Sequence, residues 1–158
     1  IAVNIRPTYY QHLDNNENSI YNDFLYSVDV DDDGNVWIGT GKGLSMYDVQ
    51  AKRFVRFPEQ DHLSDAIIRG VVCHKEEVWV SHRKGLTRFN RKNKQIRHFD
   101  KSDGLQNNEF SEDAYHKNKK TGELFFGGSN GLNAFFADKL NENNIGPKVM
   151  FTNLKIRN

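Results

Sequence analysis

The sequence predicts an all-β protein built from repeated four-stranded antiparallel units, and three observations carry that expectation. A gapless internal repeat recurs three times, apolar runs of strand length alternate with turn-forming residues, and no segment has a convincing helical period. The repeat is read from Val36-Trp37-Ile38-Gly39, Val78-Trp79-Val80-Ser81 and Leu124-Phe125-Phe126-Gly127. Each is followed by a short turn, a Gly-Leu pair at 43, 85 and 131, and a polar–apolar–aromatic run. The offsets are 78 − 36 = 42 and 124 − 78 = 46 residues. Strand-rich repeats of that period are propeller blades. At that size the 158 residues hold about three blades, whereas closed propellers use about 4–8. The expected architecture is therefore a partial β-propeller of about three four-stranded antiparallel blades.

Each unit supplies its strands in order. In the first, Tyr26, Val28 and Val30 alternate with Ser27, Asp29 and Asp31, which predicts a strand with one apolar face and the acids on the wet one. Asp33-Gly34 supplies a hairpin turn, because both residues tolerate positive φ. Val36 to Gly39 is apolar on both faces, as a strand sandwiched between neighbouring blades should be. Leu44 to Tyr47 follows, and the alternating, partly charged Arg53 to Phe57 suits an outer edge. The second unit repeats this with Ile68 to His74, Val78 to Ser81, Leu86 to Phe89 and Ile96 to Phe99. The third has Phe110 to His116, Leu124 to Gly127 and Leu132 to Phe136 but no clear fourth strand. The small residues Gly39, Ser81 and Gly127 are expected where blades converge, and Trp37, Trp79 and Phe125 in the wider space between them.

The predicted boundaries are 1–21 (a strand from a preceding blade, or a linker), blades at 22–60, 61–101 and 102–146, and the first strand of a truncated further module at 147–158. The chain opens with Ile1 and has no signal-like start, so it reads as an excised piece of something longer.

Composition excludes several functions. With 22 Lys+Arg against 21 Asp+Glu there is no electrostatic footprint for nucleic acid. No apolar run approaches the roughly 20 residues of a spanning helix. The single cysteine, Cys73, forbids an intrachain disulfide and reads as a small buried residue. Eighteen Asn and 12 Gly fit a turn-rich chain with 19 aromatic residues.

Several motifs look chemical and have plainer readings. Asp29-x-Asp31-x-Asp33-Gly34 has the opening spacing of a calcium loop, but Thr40 stands at the twelfth position, where a bidentate Glu belongs. Six scattered histidines have no metal-ligand spacing, although His74 and His116 fall at matching ends of innermost strands. Arg91-Lys92-x-Lys94 and Lys117-x-Lys119-Lys120 read as solvated hairpin tips, with an anion site as the alternative. No nucleophile elbow or carboxylate pair stands out. The expectation is no catalytic residue, no metal and no cofactor.

The strings Asp33-Gly34-Asn35-Val36-Trp37-Ile38-Gly39-Thr40 with Gly43-Leu44, and Val78-Trp79-Val80-Ser81 with Gly85-Leu86, resemble the two-component regulator propeller repeat. That repeat builds the periplasmic sensor region of hybrid two-component histidine kinases in polysaccharide-degrading bacteria. Gly104-Leu105-Gln106-Asn107-Asn108-Glu109-Phe110 resembles its last blade, and Gly146 to Ile156 the strand that opens its triple-tyrosine immunoglobulin-like module. The second repeat departs from the pattern at Lys75-Glu76-Glu77 and at Ser81-His82. The resemblance implies a non-catalytic, periplasmic sensing and scaffolding segment whose parent is anchored in the inner membrane. Its kinase, receiver and DNA-binding parts lie outside this chain, and an oligosaccharide is the implied ligand. Residue chemistry and family together nominate the blade-top turns: Lys42, His82, Arg83, Lys84, Asn107, Asn108, Ser129 and Asn130. Homo-oligomerisation through open blade edges is also expected. The alternatives are part of a glycan lyase or sialidase-like enzyme, or a purely structural dimerisation propeller.

Overall fold

The computed structural model describes residues 7–57, 63 and 66–140. Among these residues eleven strands form three antiparallel sheets, each of strands consecutive in sequence. Blade 1 holds β1 (Leu25–Val30), β2 (Val36–Thr40), β3 (Gly43–Asp48) and β4 (Arg53–Arg56). Blade 2 holds β5 (Gly70–His74), β6 (Glu77–His82), β7 (Gly85–Asn90) and β8 (Ile96–Phe99). Blade 3 has three strands, β9 (Phe110–Lys117), β10 (Glu123–Gly128) and β11 (Gly131–Phe136). The all-β arc of blades is as expected, and the described part of the last unit holds three strands. The proposed strand at 147–158 lies outside the described residues.

The repeat extends into turn chemistry. Asp48 Oδ1 accepts from the Gln50 and Ala51 amides, and 42 residues on Asn90 Oδ1 accepts from Lys92 and Asn93. Lys52 and Lys94 complete the paired turns at φ 53° and 62°. The second unit closes its first hairpin without Asp-Gly: His74 pairs with Glu77 across Lys75-Glu76, with Lys75 at φ 52°.

Two apolar seams join the blades. Trp37 and Leu44 of blade 1 pack on Val71, Val78, Val80 and Phe89 of blade 2. Trp79 and Leu86 of blade 2 pack on Phe110, Leu124 and Phe126 of blade 3. Phe125 occupies the equivalent place on blade 3, where no further blade stands among the described residues, and is only half-buried. The innermost strands β1, β5 and β9 lie side by side. Close approach there needs small residues. A Cβ on Gly39 would lie 2.3 Å from Ser27 Oγ and 2.7 Å from Ile68 Cγ2. One on Gly70 would lie 2.7 Å from both Ser81 Oγ and Tyr115 Cδ1.

The faces of β1 are reversed from expectation. Ser27 is buried, and Asp29 and Asp31 point with it toward blade 2, while Val28 and Val30 are each 53% exposed. Those valines lie on the side of blade 1 away from blade 2, whose outer half is covered by the chain's own N-terminal segment. Residues 7–24 form turns and no strand there. Ile20 packs on Ile38 and Phe54, Tyr10 on Tyr47 and Phe54, and Arg56 donates to Ser19 and Asn16 carbonyls.

Gly39→Ala tests the convergence. Ser27 Oγ can rotate away, but the Ile68 backbone oxygen lies 3.0 Å from the added Cβ. A loss of about 1–3 kcal/mol is expected from overpacking, read as a lowered urea midpoint at unchanged slope.

Candidate functional site

The second-to-third-strand turns of all three blades lie at one end of the arc. Ile68 N donates to Thr40 O, Arg69 N to Ser81 O, and Arg69 Nη1 to Phe110 O, so strand ends of successive blades meet there. Lys42, Arg83, Lys84, Ser129 and Asn130 all stand in these turns and are exposed. The segment 104–109 joins them. Asn107 Nδ2 donates to Ser129 Oγ at 3.0 Å, Asn130 Nδ2 to Gln106 O at 3.3 Å, and Asn108 Oδ1 accepts from Lys101 N at 2.7 Å. Arg83 Nε approaches Glu109 Oε1 at 3.9 Å, which ties the blade 2 turn to the loop. Lys42 stands apart, 5.7 Å above the Tyr21 ring.

The result is a rim of amides, hydroxyls and cations. It is preorganised around Gln106, whose side-chain oxygen and nitrogen are buried without a partner. Such a surface can donate to and accept from a polyhydroxylated or acidic ligand.

His82 has a different place. It is fully buried, and its Nδ1 accepts from Lys84 N at 3.1 Å while Nε2 meets Thr87 Oγ1 at 3.0 Å. In blade 1 the residue 42 earlier, Thr40, accepts from Lys42 N at 3.2 Å. His82 therefore replaces that threonine as the lock of its turn and presents nothing to the rim. His74 and His116 do not form a pair. His74 Nε2 lies 3.3 Å from Asp138, and His116 faces Phe125 on the open side of blade 3.

The opposite end carries the feature that sequence reasoning misread. Asp31, whose side chain is 0% exposed, accepts from Trp37 Nε1 at 2.8 Å, Asn35 N at 2.9 Å, Asp33 N at 3.0 Å and Arg91 Nη1 at 3.0 Å. Arg91, only 10% exposed, also donates to Asp33 and to Lys75 O. It is no solvated tip but a bolt from the β7–β8 turn of blade 2 into the β1–β2 turn of blade 1. Its guanidinium answers the acids that looked like a calcium loop, and Asp29 instead accepts from Cys73 N at 2.7 Å. No group of metal-ligating side chains occurs among the described residues. Burial, then the Asp29 and Asp31 charges, push the Cys73 thiol up, so it is an inert core residue.

Burial alone would raise the Asp31 carboxyl. Hydrogen bonds from Trp37 and Asn35, with the Arg91 charge, outweigh that and hold it below the usual carboxylate value. Burial likewise lowers and the Asp33 bond and acidic charges raise Arg91, with a net upward shift. The Asp31–Trp37 spacing and the Arg91 that follows β7 were the available signals.

No protein-family model and no curated protein matches the chain. Solved structures do. The extracellular domain of BT3049 from B. thetaiotaomicron, described as a hybrid two component system, matches with TM-score 0.62 and 20% identity over 76% of this chain and 16% of that one. PorZ, a surface component of the type-IX secretion system of Porphyromonas gingivalis, matches with TM-score 0.59 and 23% identity, over 71% of this chain and 17% of its own. The extracellular domain of BT4673 from B. thetaiotaomicron gives 0.51 and 22%, over 70% and 14%. At these identities the likeness establishes the propeller fold. The chain spans under a fifth of each of these proteins.

Removing the bolt has a signed outcome. Arg91→Met leaves Asp31 buried with its Trp37 and Asn35 donors but no cation. The expected cost is about 3 kcal/mol, the low end for a broken buried pair. Because the Asp31 pKa is lowered on folding, its contribution is fully present above the unfolded value of about 3.9. It is lost as pH falls through the lower folded value. Urea midpoints of wild type and Asp31→Asn should therefore differ at pH 7 and converge toward pH 2.

Proposed function

We propose that this chain is a non-catalytic part of an extracytoplasmic sensor propeller of a hybrid two-component system, and that its upper rim responds to a glycan. The observation that carries the reading is the combination of a three-blade arc like those in the BT3049 and BT4673 extracellular domains with the preorganised polar rim. Arg83, Lys84, Asn107, Asn108, Ser129 and Asn130 form the contact surface, with Lys42 at its edge. His82 holds the Arg83-Lys84 turn from behind. An acidic oligosaccharide suits the two exposed cations and the amides. Ligand binding reorients the rim against the rest of the sensor, and the change passes toward a membrane-anchored histidine kinase. The periplasm is the corresponding location. No helix among the described residues is long and apolar enough to cross a membrane.

The likeness to PorZ favours a second reading, a structural propeller within a surface assembly. A calorimetric and thermal-shift panel of neutral and acidic oligosaccharides separates the two. The sensor reading expects at least one acidic glycan to raise Tm, with stabilisation of about 2.7 kcal/mol at a hundredfold excess over Kd. Arg83→Ala with Lys84→Ala should abolish the shift. No shift with any glycan supports the structural reading.

The exposed Val28 and Val30 on blade 1, and the 61% exposed Leu132 with Phe125 on blade 3, leave two apolar faces. Self-association through them is the expected behaviour of the isolated chain. Light scattering should detect it, and a stable monomer at high concentration would count against it.

A further inference from the structure

The upper turns of the three blades are built alike except at one position. In blade 1 the fully buried Thr40 accepts from Lys42 N at 3.2 Å and donates to Gly43 O at 2.7 Å. In blade 2 the fully buried His82 accepts from Lys84 N at 3.1 Å. Each side chain holds the amide two residues on, where the second strand pairs with the third, Thr40 with Gly43 and His82 with Gly85. In blade 3 the same pairing joins Gly128 to Gly131, and Gly128 has no side chain to hold the Asn130 amide.

Another residue stands in that space. A Cβ on Gly128 would lie 2.6 Å from Gln106 Nε2. The Gln106 main chain is fixed: its N donates to Asn133 Oδ1 at 3.0 Å, and its O accepts from Asn130 Nδ2 at 3.3 Å. Yet Oε1 and Nε2 of Gln106 are both buried and meet no partner. An amide in that state destabilises the chain that carries it. It also holds a donor and an acceptor side by side. Asn107 and Ser129, the chain neighbours of Gln106 and Gly128, bond to each other at 3.0 Å at the surface, where a ligand hydroxyl can replace either of them.

We propose that Gln106 is the residue of the rim that reads the sugar, and that the ligand class is a uronate oligosaccharide with adjacent free hydroxyls. This rests on the glycan reading of the rim given above. The two hydroxyls displace the Asn107–Ser129 bond and are taken by the Gln106 amide: one accepts from Nε2 and its neighbour donates to Oε1. The carboxylate of the sugar meets Arg83 and Lys84. The bound sugar thus gives blade 3 the lock that Thr40 and His82 give to the other two turns.

The test uses trigalacturonate, whose rings carry a carboxylate and adjacent free hydroxyls, and the same trisaccharide with those hydroxyls methylated. Calorimetric titration of the full chain should show binding of the first. Methylation and Gln106→Met should each weaken it about tenfold or more, and together no further than either alone, because both remove one interaction. Without ligand, Gln106→Met keeps the side-chain length and removes the unpartnered amide, so Tm should hold or rise. Thr40→Val removes a satisfied hydroxyl and should lower it. A fall in Tm for Gln106→Met as large as that for Thr40→Val means that the amide is partnered in the free chain, and overturns the proposal. Undiminished binding by Gln106→Met, or of the methylated sugar, also overturns it and leaves the glycan rim standing. No binding of trigalacturonate overturns it as well, and the wider oligosaccharide panel then decides the glycan reading by itself.

Discussion

A four-stranded sheet that is apolar on both faces cannot stand in water, so each blade requires a neighbour on either side. Every other feature follows from this. Val78 and Val80 face one way from β6 and Trp79 and Ser81 the other, and each set belongs to a different seam. A central strand buried on both faces loses the polar alternation that would otherwise tell inside from outside. The blades also splay from an axis, so the space between them narrows inward. Gly39 and Gly70 stand where a methyl group would meet the next strand, and the tryptophans fill the seams against Phe57, Phe89, Phe99 and Phe135.

A buried indole needs a hydrogen-bond acceptor, and the two tryptophans find theirs differently. Trp37 donates to Asp31 in the preceding turn, whereas Trp79 donates to Glu77 at 3.0 Å within its own strand. Glu77 in turn receives Arg88 at 3.4 Å. The second repeat can therefore dispense with Asp-Gly and close on Lys75-Glu76. Phe125 has no donor to satisfy, and the third repeat carries neither acid in that role. The same logic explains the bolts. In both pairs of blades, a residue just past the third strand reaches back to the first hairpin of the preceding blade. Arg91 meets Asp31 and Asp33, while Asp138 meets His74 and Lys75. The charges are exchanged between the two. The first bolt is buried and firmly coupled. The second is more than half exposed at Asp138 and Lys75 and contributes about 0–1 kcal/mol.

The spacing of Gly-Leu pairs and of the aromatic–small pairs, with the apolar alternation around them, located all eleven described strands to within two residues, because a repeat reports its period without regard to which face is covered. What it did not disclose was partnership across blades. Ser27, Asp29 and Asp31 alternate with valines, and the alternation is real, but its polar side faces the next blade, where Cys73 N and Arg91 meet Asp29 and Asp31 while Trp37 of their own blade completes Asp31. Arg91 looks like its neighbours Lys92 and Lys94 in sequence. Only the approach of the blade 1 hairpin distinguishes it. His82 was misplaced for the opposite reason: a histidine in a surface turn reads as a ligand, and only the Thr40 equivalence reveals it as the lock.

The two ends of the arc are therefore built for different work. At the lower end Asp31 and Arg91 meet across the blades, while Trp37 and Asn35 of blade 1 also donate to the carboxylate and Lys75 O of blade 2 accepts from the guanidinium. At the upper end Asn107, Ser129, Asn130 and Gln106 bond within a single blade and its loop, and the blades are linked by Ile68 N to Thr40 O at 3.0 Å, by Arg69 Nη1 to Phe110 O at 3.1 Å and by the longer Arg83–Glu109 approach. Both ends are thus tied between blades, and what differs is the chemistry: a buried charged pair at the lower end, main-chain carbonyl acceptors at the upper.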